Sequence, residues 1–179
     1  MAENSTRRPV MNLDEAQYTD LSALSRKLGS QLPEGRYGGR MAQLGRVLGS
    51  RKLGYNVTVI APGKRAFPSH CHRVNEEMFF VLEGAGEVHI GADVTPIRTG
   101  DFIACPPGGP ETAHQLHNTG SVDLKVLAVS TMESPDICHY PVSGKFGVLA
   151  DFGVDSAGAR QAFRHIGRVT DARDYWEGE

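Results

Sequence analysis

PGKRAFPSHCHRVNEEMFFVLEGAGEV, running from Pro62 to Val88, decides how this chain is read, because it sets two histidines and a carboxylate at spacings that suit one metal ion. In an extended strand side chains alternate faces, and residues two apart lie about 6.6 Å from each other on the same face. His70 and His72 therefore point one way and Cys71 the other. After Arg73-Val74-Asn75 comes the apolar run Glu76 to Leu82, which reads as a strand buried on both faces. Parity sets Glu77, and not Glu76, on the inward face with Phe79 and Val81. A carboxylate turned into an apolar interior is costly unless its charge is compensated, and a divalent cation shared with two nearby imidazoles would compensate it.

A third imidazole can come from GDFIACPPGGPETAHQLHNTG, Gly100 to Gly120. His114 opens a short strand after a Pro-Gly-rich turn. Its competitor His117 lies three residues along, so alternation turns the two to opposite faces and only one can reach the ion.

Together these stretches resemble the cupin superfamily. Its first motif is a glycine, His-x-His, a glutamate and a second glycine, and here Gly63, His70, His72, Glu77 and Gly84 fill those places. Four residues separate His72 from Glu77 and six separate Glu77 from Gly84, which selects Glu77 as parity does. The second motif is matched by Gly100, Pro106, Gly108, His114 and Asn118, and its asparagine selects His114 over His117. Two spacings depart from the pattern: six residues instead of five between Gly63 and His70, and five instead of two between Gly108 and His114.

The resemblance implies an all-β fold, a double-stranded β-helix or jelly-roll barrel, with His70, His72, Glu77 and His114 as metal ligands. Three imidazoles and a carboxylate are borderline ligands acceptable to divalent Fe, Mn, Ni, Co or Zn, so one transition metal per chain is expected without its identity. The scaffold by itself implies no reaction, since one fold hosts many chemistries.

The remaining chain is consistent with this. Its 179 residues, 40% hydrophobic and 22% charged, suit one globular domain. The 21 glycines and 10 prolines fall between strand-like runs, as a turn-rich β protein requires. With a formal charge of −2 and no basic stripe interleaved with aromatics, no nucleic-acid partner is expected. The beginning, MAENSTRRPVMNLDEAQ, has no apolar signal region, and no run approaches the roughly 20 residues needed to span a bilayer, so a cytoplasmic protein without a membrane partner is expected. Cys71, Cys105 and Cys138 show no zinc-like pairing and read as buried apolar fillers.

The organisation expected is an N-terminal extension over 1–50, a barrel over 51–134 and a C-terminal extension over 135–179. In the first part, Met1 to Arg8 reads as disordered, Val10 to Leu13 as an edge strand, Leu21 to Leu28 as a short helix and Met41 to Val47 as a strand. Barrel strands are read at Leu53–Ala61, Glu76–Leu82, Glu87–Ile90, Val94–Arg98, Asp101–Cys105, Ala113–His117 and Leu124–Met132. Beyond them come Ile137–Tyr140, Lys145–Leu149 and Arg160–His165. If Glu77, Phe79 and Val81 face inward, then Met78, Phe80 and Leu82 face outward and need a cover, from an extension or a second subunit. A homodimer is the expected assembly.

Four protein ligands leave positions open on a five- or six-coordinate ion, and one carboxylate only half neutralises a divalent charge. The site would therefore take water or an anionic or enolisable small-molecule ligand. Phe79, Val81 and Leu116 are the expected apolar walls of the substrate pocket, with Phe67 at its mouth. Lys64 and Arg65 read as a solvated loop. The leading function is a metal-dependent enzyme acting on a small organic molecule, dioxygenase-like or isomerase-like. The alternative is a non-catalytic binding or sensing protein whose metal orients its ligand, and a purely structural metal is a third reading.

Overall fold

The computed structural model describes residues 10–27, 29–156 and 160–179. Its strands are β1 (Thr19–Asp20), β2 (Gly39–Ala42), β3 (Leu53–Ile60), β4 (Cys71–His72), β5 (Glu77–Glu83), β6 (Ala85–Ile90) and β7 (Asp93–Arg98). They continue with β8 (Phe102–Cys105), β9 (His114–His117), β10 (Leu124–Thr131), β11 (Asp136–Tyr140), β12 (Lys145–Val154) and β13 (Arg160–Arg168). Two short helices, α1 (Leu21–Lys27) and α2 (Leu44–Leu48), lie in the N-terminal part. No helix among the described residues is long and apolar enough to cross a membrane.

Two walls face each other. One is a six-stranded sheet in the order β1-β2-β3-β10-β5-β8. The other joins the sheets β13-β12-β11-β4 and β7-β6-β9 through an antiparallel bridge between His70 and His114, whose backbone N–H groups each donate to the other's carbonyl at 3.2 and 2.8 Å. Strand alternation fills the space between the walls. Val81, Ile103, Leu124 and Val126 come from the first, and Val88, Ile97 and Leu116 come from the second. This is the jelly-roll sandwich expected from the strand spacing, and the barrel strands fall within a residue or two of their expected limits.

The two extensions are built into this body. β1 and β2 lengthen the six-stranded sheet beyond β3, while Leu21 of α1 is buried in the core cluster with Leu24, Leu32 and Met41 packed against it. β11 pairs with β4, matching Cys138 to His72 and His139 to Cys71, so the C-terminal part borders the motif histidines.

Two N-terminal expectations are corrected. Residues Leu13–Glu15 form a 3₁₀ turn where an edge strand over Val10 to Leu13 was expected, because the Asn12 side chain accepts from Asp14 N at 3.0 Å and caps it. The strand expected over Met41 to Val47 ends at Ala42, and the chain turns into α2, which Gly49 closes at φ 76° in the left-handed region. The expectation for Met1 to Arg8 and the helix end at Leu28 lie outside the described residues.

On the outer face of β5, Met78, Phe80 and Leu82 are half-buried, and Phe80 meets Phe102 of β8 at 4.5 Å between ring centroids. Phe102 itself remains 75% exposed, so this apolar face is incompletely covered within one chain.

Asn118, the motif asparagine, is a structural lock. It is fully buried, its Nδ2 donates to the Ile60 and Val122 carbonyls at 2.8 Å each, and its Oδ1 accepts from Gly120 N at 2.9 Å. Asn118→Ala would remove three hydrogen bonds to the backbone, one of them, to the Ile60 carbonyl, in the interior, and we expect it to lower unfolding free energy by about 2–4 kcal/mol in urea titrations. A loss within experimental error of zero would contradict this role.

Candidate metal centre

The site is assembled across the two walls. His70 and His72 belong to the short extended segment around β4, pinned between β11 on one side and the start of β9 on the other, where His114 sits. Glu77 opens β5 in the opposite wall. The expected alternation holds: Cys71 is buried away from the site, its Sγ 3.9 Å from the His139 carbonyl.

Each imidazole has one nitrogen engaged on the protein side. His70 Nδ1 lies 2.8 Å from the Pro68 carbonyl, His72 Nδ1 lies 2.5 Å from Asp136 Oδ2, and His114 Nδ1 lies 3.4 Å from the Thr112 carbonyl. With its ring proton on Nδ1 toward these acceptors, a neutral ring presents its Nε2 lone pair to the cavity; without an ion, the 2.9 Å contact of His114 Nε2 with the Glu77 carboxylate needs a proton on Nε2. All three Nε2 atoms then face one oxygen, Glu77 Oε2, at 3.9 Å from His70, 3.5 Å from His72 and 2.9 Å from His114.

Metal bonds of 2.0–2.1 Å place neighbouring ligand atoms about 3.0–3.4 Å apart; the His114 and His72 contacts are near this and the His70 contact is wider, and His70, Glu77 and His114 lie close enough together to hold an ion with His72 beside them. His72 Nε2 is also a buried polar atom without a hydrogen-bond partner, which an ion among the four side chains would satisfy. The donor set thus fits a divalent transition metal of the borderline class.

The electrostatics divide the rings: burial lowers His72, but its contacts with Cys138, Glu77 and Asp136 outweigh this and raise it to about 11, so a bound cation would displace a proton there. Burial, followed by the neighbouring His114, holds the His70 pKa down at about 4, so this imidazole is a neutral ligand at physiological pH. Burial alone would raise the Glu77 carboxyl, but the contacts with His114 and His72 outweigh it and hold the group below the ordinary carboxylate range. Asp136 is likewise ionised: burial opposes this, and the bonds from His72 and Asn75 overcome it. The result is a carboxylate–imidazole pair behind His72 of the kind that fixes a metal-binding ring in place.

The four side chains open on a cavity of about 350 Å³. Of the expected pocket residues, Phe67, Phe79 and Leu116 line it; Val81 faces the same interior but lies fully buried in the core and is not part of the lining. Polar groups absent from the expectations also line it, among them Thr58, Gln115 and Tyr140. The Tyr140 phenol is pushed up to about 12 by burial and by the nearby Cys138 and Asp136, so it stays protonated and offers a donor.

His117 does turn away from His114, joining Glu87 and His89 on the outer side of β6 and β9. Lys64 is not simply solvated: its Nζ donates to the Gly35 carbonyl at 2.7 Å. Cys138 is not a simple filler either, since its Sγ lies 3.3 Å from His72 Nδ1. Sequence reasoning missed Asp136, Cys138 and Tyr140 because they lie more than 60 residues from His72, or 22 to 26 from His114, and reach the site only through the pairing of β11 with β4. The one available signal is the alternation of these three residues along a single strand.

Residues 56–130 match the family model described as a cupin domain. Over 60 residues the chain is 35% identical to an oxalate-binding protein of Thermotoga maritima, covering 34% of this chain and 47% of that one. It spans about half the length of the curated relatives it matches. Two crystal structures share the fold over nearly the whole chain. A protein of Acidithiobacillus ferrooxidans aligns with a TM-score of 0.69 and 22% identity, covering 95% of this chain and 98% of that one. A Silicibacter pomeroyi protein, named as a sugar phosphate isomerase from a cupin superfamily, aligns with a TM-score of 0.69 and 20% identity over 94% and 98% of the two chains. Fold, motif residues and domain match agree: residues 56–130 are a cupin domain, and the chain has the cupin fold.

Proposed function

We propose that this protein is a metal-dependent enzyme that isomerises a small hydroxy-carbonyl compound, with His70, His72, Glu77 and His114 holding one divalent transition metal. The observation that carries the reading is the aim of three imidazole Nε2 atoms at one carboxylate oxygen on the wall of a cavity of about 350 Å³. A bound divalent cation supplies Lewis acidity toward a carbonyl and its neighbouring hydroxyl.

The chain's own groups suit such a ligand. Tyr140 offers a protonated phenol, Gln115 and Thr58 offer amide and hydroxyl groups, and Phe79 and Leu116 keep the far wall dry. Moving a proton between adjacent carbons also needs a base. Glu77 is the one carboxylate that lines the cavity among the described residues, but its carboxyl is held below the ordinary range and suits a ligand better than a base, so this reading leaves the base to a water in the cavity. The full-length likeness in fold to a protein named as a sugar phosphate isomerase supports this choice over oxygen chemistry.

A second reading, binding without turnover, is favoured by the relative named as an oxalate-binding protein and by the residual positive charge that a divalent ion would keep beside a single carboxylate. Proton NMR in deuterated water separates the readings. The metal-loaded protein should exchange the carbon-bound hydrogen next to the carbonyl in at least one member of a panel of aldoses, ketoses and their phosphate esters. Tyr140→Phe should slow that exchange about a hundredfold with metal content unchanged. Binding of panel members or oxalate with no exchange would replace the isomerase with the binding protein, and oxygen uptake would favour a dioxygenase.

We also propose a homodimer that covers the outer face around Phe80 and Phe102, because an exposed phenylalanine packed on a half-buried one on a broad sheet is the kind of surface a two-fold contact buries. Sedimentation equilibrium should return twice the mass of the chain, and Phe102→Glu should shift it toward one. A single-chain mass for the unaltered protein would refute the dimer.

A further inference from the structure

Outside the metal cavity lies a second, larger basin of about 770 Å³. The two share Met41, Ala66, Phe67, Pro68 and Gln115 as walls, so the basin adjoins the metal cavity. Its charge is one-sided. Lys27, Arg36, Arg46, Lys145 and Arg164 line it, and no aspartate or glutamate does. The whole chain has 21 acidic against 19 basic side chains, so five cations around one hollow without a single acid is a local concentration against the overall balance. None of the five makes an ion pair among the described residues, where Arg40, Lys125 and Arg173 do. Like charges gathered without counter-charge form a standing positive potential that an anionic ligand would neutralise.

We propose that this basin is a phosphate subsite: it holds the phosphomonoester group of a ligand whose oxygenated end reaches the metal cavity. The guanidinium groups of Arg36, Arg46 and Arg164 present planar donor forks that match phosphate oxygens, while Lys27 and Lys145 add point charges.

The rim is held in position. The Lys64 ammonium donates to the Gly35 carbonyl at 2.7 Å, and Arg65 N donates to the Arg36 carbonyl at 3.1 Å, pinning the loop that carries Arg36 to the barrel. Lys145 connects the two compartments: its Nζ lies 5.8 Å from the Tyr140 ring centroid, which lies 6.0 Å from that of His70. Those two contacts link a basin cation to a motif imidazole through the Tyr140 ring. The barrel thus supplies the metal cluster, and the two extensions supply the cations, Lys27, Arg36 and Arg46 from the N-terminal side and Lys145 and Arg164 from the C-terminal side.

The subsite deepens the isomerase reading, resting on it only for what occupies the metal end, and it can be tested without turnover. Inorganic phosphate is titrated into the full-length protein at fixed ionic strength and followed by calorimetry, in parallel with His72→Ala, which impairs the metal cluster, and with the double variant Lys145→Gln and Arg164→Gln. We expect saturable binding of one phosphate per chain, retained in His72→Ala and weakened about tenfold or more in the double variant, with affinity falling as salt is raised. Circular dichroism confirms that each variant is folded, and the single variant Arg36→Gln provides an independent loss from the opposite rim.

Equal affinity in the charge variants, or no saturable binding, would overturn the subsite. Binding that disappears in His72→Ala while surviving the charge variants would place the phosphate on the metal, which overturns the subsite and leaves the metal-enzyme reading standing. Retained basin binding in a protein that exchanges no substrate hydrogen would do the reverse.

Discussion

The structure depends on a carboxylate set opposite three imidazoles across the barrel interior. Glu77 projects from the six-stranded wall, and His70, His72 and His114 project from the other, with all three Nε2 atoms turned to a single oxygen. An ionised carboxylate only accepts, so without an ion this arrangement needs protons on the facing nitrogens, which three neutral rings protonated on Nδ1 would not supply. Protonation suits the rings unequally: against burial, contacts with Cys138, Glu77 and Asp136 raise His72 to about 11, whereas burial holds His70 down at about 4. A cation resolves the conflict, and it would also tie the two walls together from inside the barrel.

The supporting contacts extend the argument outward. Asp136 fixes the His72 ring, and in turn accepts from Val74 N at 3.1 Å, so the residues behind the site are anchored to backbone. Tyr140, on the same strand as Asp136, enters the cavity and stacks near His70. The C-terminal segment therefore takes part in the site, and the cations of the basin make the N-terminal segment a participant too. A barrel limited to its central strands would keep the motif ligands and lose these surroundings.

Much of this was legible in the sequence because strand periodicity is strict. A period of two leaves no freedom in choosing Glu77 over Glu76, or His70 and His72 over Cys71, and the β-branched runs marked the strands of the barrel closely. What failed depends on partners remote in the chain. Nothing local separates Val81, buried in the core, from Phe79, which lines the cavity, since both point inward. The turn of Met41–Val47 into α2 depends on the close approach of Gly45 to Tyr55, where an added Cβ would lie 3.0 Å from the backbone nitrogen. Asp136 and Tyr140 acquire their roles from the register of β11 on β4, and the basin collects cations from five separate elements or loops.

The central claim is that the four convergent side chains hold one metal ion. Elemental analysis of protein expressed in unsupplemented medium and purified without a nickel column tests it most directly, with His72→Ala prepared alongside. The account predicts about one first-row transition metal per chain in the unaltered protein and a large loss from the variant while the barrel stays folded. A variant that retains the full complement of metal, or an unaltered protein that takes up none even when iron, manganese, cobalt, nickel and zinc are supplied, would contradict it.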